Sequence, residues 1–171
     1  LKHNYPTEEQ YSNGVDTIFY HGERVNPNAK VVNTEFRSLV ERNMREAKAY
    51  EAILVDRNGN VTEGSRSNIF MIKDKTVYTA PLEDVLPGTT RDSIIAVALK
   101  CGYKVIEERI NYKDAIRMDG IFISGTLSKV LPIRKIDNTK LNSSHNNIII
   151  SIMKEYNEMI KRYIHKNKLN R

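Results

Sequence analysis

Four places in this 171-residue sequence combine residue types that could do chemistry. The first is Glu63-Gly64-Ser65-Arg66-Ser67-Asn68, a polar run set inside an apolar strand pattern. Such a step is either a plain bulge in a surface hairpin or a wall where the backbone lets a ligand come close. The second is Leu86-Pro87-Gly88-Thr89-Thr90-Arg91-Asp92, where a Pro-Gly turn and two threonines precede a helix pattern. Unpaired amides at a helix start carry partial positive charge and take an anion, phosphate above all. The plainer reading is that Thr89 or Thr90 is simply the N-cap. The third is Ser124-Gly125-Thr126, directly after an apolar strand, where small residues leave room at the backbone. The fourth is Lys30, an amine just ahead of a helix, which taken alone reads as an ordinary surface lysine.

The elements that must position these groups follow from periodicity. Ala52-Ile53-Leu54-Val55 is a short apolar strand, and Asn58-Gly59 predicts a type I′ hairpin turn with positive φ at both residues. The return strand is expected to start at 60–62 and to continue through 68–72. Further strands are predicted over 15–20, 76–79, 103–110, 120–123 and from 130 to 133. Helices are predicted over 34–49, 93–99, 111–118 and 146–165, with apolar residues at helical spacing. Residues 1–14 read as a polar lead-in, and 24–29 as a loop around Pro27. Alternating strands and helices with one hairpin predict an α/β fold, a mixed sheet with helices packed on it.

Composition narrows the function classes. Apolar residues make up 40% and charged residues 28%, which suits a globular domain with a real core. No apolar run is long enough to span a membrane as a helix. The single cysteine, Cys101, can form no internal disulfide, which fits a reducing compartment; the expected location is cytoplasmic. Its setting before Gly102 suggests packing at a helix end. The net charge of +6 comes largely from the basic tail after residue 160, which reads as a solvated helix end. No zinc spacing or nucleic-acid motif accompanies it, so neither a metal nor a nucleic acid is expected as a partner.

Taken together and in order, these stretches resemble the larger, C-terminal domain of the class IV, or fold-type IV, aminotransferases. These depend on pyridoxal phosphate and include branched-chain and D-amino acid aminotransferases and aminodeoxychorismate lyases. The resemblance runs from about residue 11 to 136. It is most specific in Tyr50-Glu51-Ala52-Ile53-Leu54 and in Val61-Thr62-Glu63-Gly64-Ser65-Arg66-Ser67-Asn68-Ile69-Phe70. The 86–92 and 122–126 stretches support it. Two positions depart from the family pattern: Thr34-Glu35 follows Asn33, and Arg66 stands where a small residue is common.

The resemblance implies a mixed sheet partly rolled into a barrel with packed helices. It implies that Lys30 is the lysine joined covalently to the cofactor aldehyde and the carrier of the substrate α-proton. Glu63 matches the carboxylate paired with the ring nitrogen, and Thr89, Thr90 and Thr126 match the phosphate contacts. Leu86 would pack on one ring face, with Ser65 and Gly125 lining the same site. The expected reaction is amino-group transfer from an amino acid to a 2-oxo acid, by a homodimer. One alternative is pyruvate release by an aminodeoxychorismate lyase-type enzyme; another is an isolated domain without activity. The family's smaller N-terminal domain is expected to be absent from this stretch, leaving residues 1–171 as the cofactor-holding domain.

Overall fold

The structure is a computed structural model that describes residues 5–23 and 33–168. In chain order the strands are β1 (Val15–His21), β2 (Glu51–Val55), β3 (Asn60–Gly64), β4 (Asn68–Lys73), β5 (Thr76–Thr79), β6 (Lys104–Glu107), β7 (Ile110–Asn111), β8 (Gly120–Gly125), β9 (Lys129–Ile136) and β10 (Thr139–Lys140). The helices are α1 (Glu8–Asn13), α2 (Thr34–Glu46), α3 (Thr89–Lys100), α4 (Tyr112–Ala115) and α5 (Asn147–Lys168). The sheet order is β6-β5-β4-β8-β9-β1-β2-β3-β7, with β10 paired to β9. Parallel pairs at β1–β2, β1–β9 and β5–β6 sit among antiparallel ones, so the sheet is mixed, as the sequence implies.

The curl follows from connectivity. β6 and β7 lie at opposite ends of the strand order, yet only residues 108 and 109 separate them. A two-residue link spans so little distance that the sheet must bend round on itself. The result is a strongly curled half-barrel with helices packed on it, the architecture expected from the resemblance. β9 joins the halves: Lys129 to Pro132 pair with β8, and Ile133 to Ile136 pair with β1.

Side chains alternate between two cores, as the period-2 geometry of strands requires. Ile69, Met71, Ile121 and Ile123 join Val15, Ile53, Val61, Leu131 and Ile133 inside the curl. Phe70, Ile72 and Phe122 point the other way, onto α3 and α5, where they meet Ile94, Val97, Ile149, Ile152 and Tyr156. The rings of Phe70 and Phe122 stack there at 5.0 Å. Both faces are covered, which is why β4 and β8 read as continuous apolar runs. A third cluster packs Val40 and Met44 of α2 against Ala52 and Leu54 of β2. Cys101 caps α3 and packs against the second core, as its setting suggests.

Several sequence expectations need correction. Residues 8–13 form a helix, closed by a capping box in which the Thr7 hydroxyl accepts from the Gln10 amide. The hairpin turn is not type I′, because only Gly59 has positive φ. Instead Asp56 bonds to Asn60 across a three-residue loop, and the Asp56 carboxylate accepts the Asn58 and Asn60 amides at 2.8 Å. A left-handed glycine closing such a loop is the three-residue alternative to the two-residue turn. Helix α2 ends at Glu46 because Lys48 adopts a left-handed φ of 54°. α3 starts at Thr89, earlier than its apolar pattern, and α4 is a single turn. The predicted strand over 103–110 splits into β6 and β7 at the point where the sheet turns its edge. Residues 68–72 do not continue the return strand: β3 pairs with β2, whereas β4 pairs with β5 and β8 in the other half. The loop around Pro27 lies outside the described residues.

Candidate active site

The polar run at 63–68 is the crossing between the two halves of the sheet. Glu63 and Gly64 end β3, Ser65 to Ser67 turn, and Asn68 begins β4. The turn is tight: the Gly64 amide donates to the Ser67 carbonyl at 2.7 Å, and the Ser65 amide to the Ala52 carbonyl at 2.9 Å. A side chain at Gly64 has no room, because its Cβ would lie 2.1 Å from Ser67 Oγ. Beside this crossing opens a cleft of about 800 Å³. Its other walls are α2 and the ends of α3 and β8.

Of the site residues expected from sequence, Glu63, Ser65, Leu86, Thr89, Thr90, Gly125 and Thr126 all line this one cleft. Lys30 lies outside the described residues. Glu63 is 3% exposed, and its Oε2 accepts the Leu86 amide at 3.2 Å. That bond ties the carboxylate to the loop leading into α3. Leu86 is fixed from its other side by Asn68, whose side-chain amide reaches the Leu86 carbonyl at 3.4 Å.

The loop and helix start that follow Leu86 present donors to the same cleft. Gly88 is the N-cap of α3 and makes no side-chain capping bond, so neither threonine is the cap. Thr89 and Thr90 are the first two helical residues, where backbone amides have no partner within the helix. Arg91 holds this end down. It is 1% exposed and donates to the Ala80 carbonyl at 3.0 Å and to Glu107 at 2.7 Å. Near the end of β8, Ser124 is fully buried, and its hydroxyl has no hydrogen-bond partner among the described residues.

Sequence reasoning missed two members of this constellation. One is the Ser124 hydroxyl, noted only for its small size. The other is Glu51, 2% exposed, whose Oε1 accepts Ser65 Oγ at 2.5 Å and the Ala52 amide at 3.0 Å, while Oε2 accepts Ser67 Oγ at 3.1 Å. An acid at the head of a wholly apolar strand, with a Ser-x-Ser step downstream, was the available signal. α2 adds Phe36, Arg37, Val40 and Glu41 to the cleft. Its N-cap is Asn33, whose side chain accepts the Phe36 amide at 3.0 Å. Arg66 also lines the cleft, and its guanidinium donates to the Tyr50 carbonyl at 3.0 Å.

A strongly curled half-barrel of mixed sheet with packed helices is the fold of the fold-type IV aminotransferases. The sequence matches the family model for amino-transferase class IV over residues 1–136, and the chain belongs to that family. Among its relatives, a branched-chain-amino-acid aminotransferase of Pseudomonas aeruginosa is 41% identical over 93 residues, 54% of this chain and 30% of that one. A D-alanine aminotransferase of Bacillus licheniformis is 30% identical over 138 residues, covering 80% of this chain and 48% of that one. Among solved structures, the T.th. branched-chain amino acid aminotransferase complexed with N-(5'-phosphopyridoxyl)-L-glutamate superposes with a TM-score of 0.80 at 28% identity. It covers 86% of this chain and 52% of that one. The chain therefore spans about half the length, or less, of the relatives it matches. No helix among the described residues is long and apolar enough to cross a membrane.

Proposed function

We propose that this chain is the cofactor-holding domain of a pyridoxal-phosphate-dependent transaminase, which moves an amino group from an amino acid to a 2-oxo acid. The observation that carries this reading is the convergence of Glu63 with Thr89, Thr90 and Thr126 on a single cleft. The residues present suit the cofactor: a buried acceptor at one wall, unpaired helix-start amides at the other, and the unpartnered Ser124 hydroxyl beside them. Pyridoxal phosphate, when bound, supplies an electron-withdrawing ring that stabilises a carbanion at the amino-acid α-carbon.

The roles of the chain's own residues follow. Glu63 keeps a proton on the ring nitrogen, and its bond to the Leu86 amide fixes its direction. Thr89, Thr90 and Thr126 hold the phosphate with amides and hydroxyls. Leu86 would pack against the cofactor ring, and Ser65 and Gly125 would complete the lining. Lys30 would hold the cofactor through its aldehyde, and its amine would carry the proton at the substrate α-carbon. A second, smaller domain closes the cleft, and the complete protein acts as a homodimer in the cytoplasm. Relatives that are named branched-chain and D-alanine aminotransferases support amino-group transfer over pyruvate release.

The test is covalent trapping. The protein carrying this chain is incubated with pyridoxal 5'-phosphate and reduced with borohydride, and its peptides are weighed. A phosphopyridoxyl group on Lys30, lost in Lys30→Ala, is the expected result. The same adduct yield in Lys30→Ala would overturn the assignment.

A further inference from the structure

Glu51 lies behind the cleft wall rather than in it, yet it determines what that wall offers. Its carboxylate is buried and is met by three donors: the hydroxyls of Ser65 and Ser67 and the Ala52 amide. Three donors on one carboxylate are what makes a buried charge tolerable. The Ser65 oxygen also lies 3.8 Å from the Met44 sulfur, but its single proton goes to the much nearer carboxylate.

An ionised carboxylate accepts only, and a serine hydroxyl has one proton to give. Ser65 and Ser67 both give theirs backwards, to Glu51. Both residues also line the cleft. Whatever meets their oxygens from the cleft must therefore donate. Glu63 precedes them on the same strand end and is itself an acceptor. Glu63, Ser65 and Ser67 thus offer acceptors along this stretch, while the guanidinium of Arg66, between the two serines, is engaged by the Tyr50 carbonyl.

We propose that Glu51 is a positioning residue that sets this polarity: by taking both serine protons, it makes the wall selective for a protonated nitrogen. The proposal rests on the cofactor reading above and deepens it, with the protonated ring nitrogen as the group selected. Glu51 touches neither cofactor nor substrate; it acts through Ser65, Ser67 and the turn they close. Gly64 belongs to the same device, since a Cβ there would also come within 3.3 Å of the Glu51 carboxyl carbon.

Glu51→Gln tests this because glutamine keeps the shape and inverts one bond. Its amide group donates, so one serine must turn its proton into the cleft. The complete protein is assayed for binding of pyridoxal 5'-phosphate and of its 1-deaza analogue, which has no ring nitrogen to protonate. The expected result is that Glu51→Gln weakens pyridoxal phosphate about tenfold, the scale of one charge-assisted hydrogen bond, and leaves the deaza analogue unchanged. Equal weakening of both ligands would make Glu51 a purely structural residue and overturn the proposal; unchanged binding of both would overturn it too. If Glu51→Gln does not fold, Ser67→Ala replaces it, leaves Glu51 two donors, and is read by the same two ligands. Wild-type protein that binds pyridoxal phosphate, with the Lys30 adduct, but shows no such change in the variant sinks this inference alone. Wild-type protein that takes no cofactor sinks the functional reading as well.

Discussion

The walls at 63–68 and 86–90 face one cleft but are anchored by opposite means. The first is held from behind by Glu51, which takes both serine protons, and is tied to the second by the bond from the Leu86 amide to Glu63. The second is held by a buried cation, Arg91, which pins the start of α3 to Ala80 and Glu107. So the acceptor wall is supported by a buried carboxylate and the donor wall by a buried guanidinium. The difference teaches that a cleft's polarity can be set one layer below its surface, where water does not screen it.

Taking out the guanidinium is the strongest way to break the donor wall. Arg91→Ala removes the partner of the Ala80 carbonyl and leaves a hole under the first turn of α3. It should lower the unfolding free energy by about 3 kcal/mol, read from urea unfolding. A loss below about 0.5 kcal/mol would show that the helix start stands without it.

The acceptor wall is tested by crowding its turn. Gly64→Ala places a Cβ against Ser67 Oγ and should cost about 2 kcal/mol, visible as a lower melting temperature. If the wall is as rigid as its bonds imply, the hydroxyl cannot step aside cheaply, and Ser67→Gly in the same chain should restore part of the loss. Restoration of nothing would place the strain elsewhere.

The smallest effect belongs to a pair remote from both walls. Asp16 of β1 is bonded to Arg134 of β9 at 2.7 Å, and chiefly that bond holds its carboxyl below the ordinary value of 3.8. A carboxyl depressed on folding stabilises fully above its unfolded value, and the benefit is lost as pH falls through the lower folded one. Asp16→Asn should therefore remove a shallow decline in stability below about pH 4, and cost less than about 1 kcal/mol at neutral pH because the pair is partly in water. An acid limb that survives in Asp16→Asn would assign it to other carboxylates.

What was legible in the sequence divides along the same line. The strands over 76–79 and 15–20, the three long helices and the mixed α/β class were readable because apolar periodicity reports burial directly, whereas the short polar helix α1 was not. The lining residues were readable because motif order brought them together, and all those within the described residues meet in one cleft. The supports were not. Glu51 and Arg91 are buried charged residues whose partners sit on other elements, and apolar periodicity carries no sign of such pairs; for Glu51 the one hint was an acid at the head of an apolar strand with a Ser-x-Ser step downstream. The crossing at 64–67 was misread for a related reason. The residues on both sides of it read as strand, and nothing local says that β3 and β4 pair with different neighbours. The 56–60 loop shows the limit of dipeptide signals: Asn58-Gly59 does turn the chain, but through glycine alone.

One feature of the sheet bears on how the molecule comes to exist at all. β1, first of the strands in the chain, is flanked by β2 and β9, so Val15 must find Ile133 across more than a hundred residues. Parallel pairing at such separation forms late and slowly, because the loop entropy is lost before the contact is gained. On the ribosome, neither half of the sheet can close around β1 until β9 has emerged. Refolding should accordingly be slow for a protein of this size, and the unpaired edge that β1 presents meanwhile is where a folding chain would meet another copy of itself.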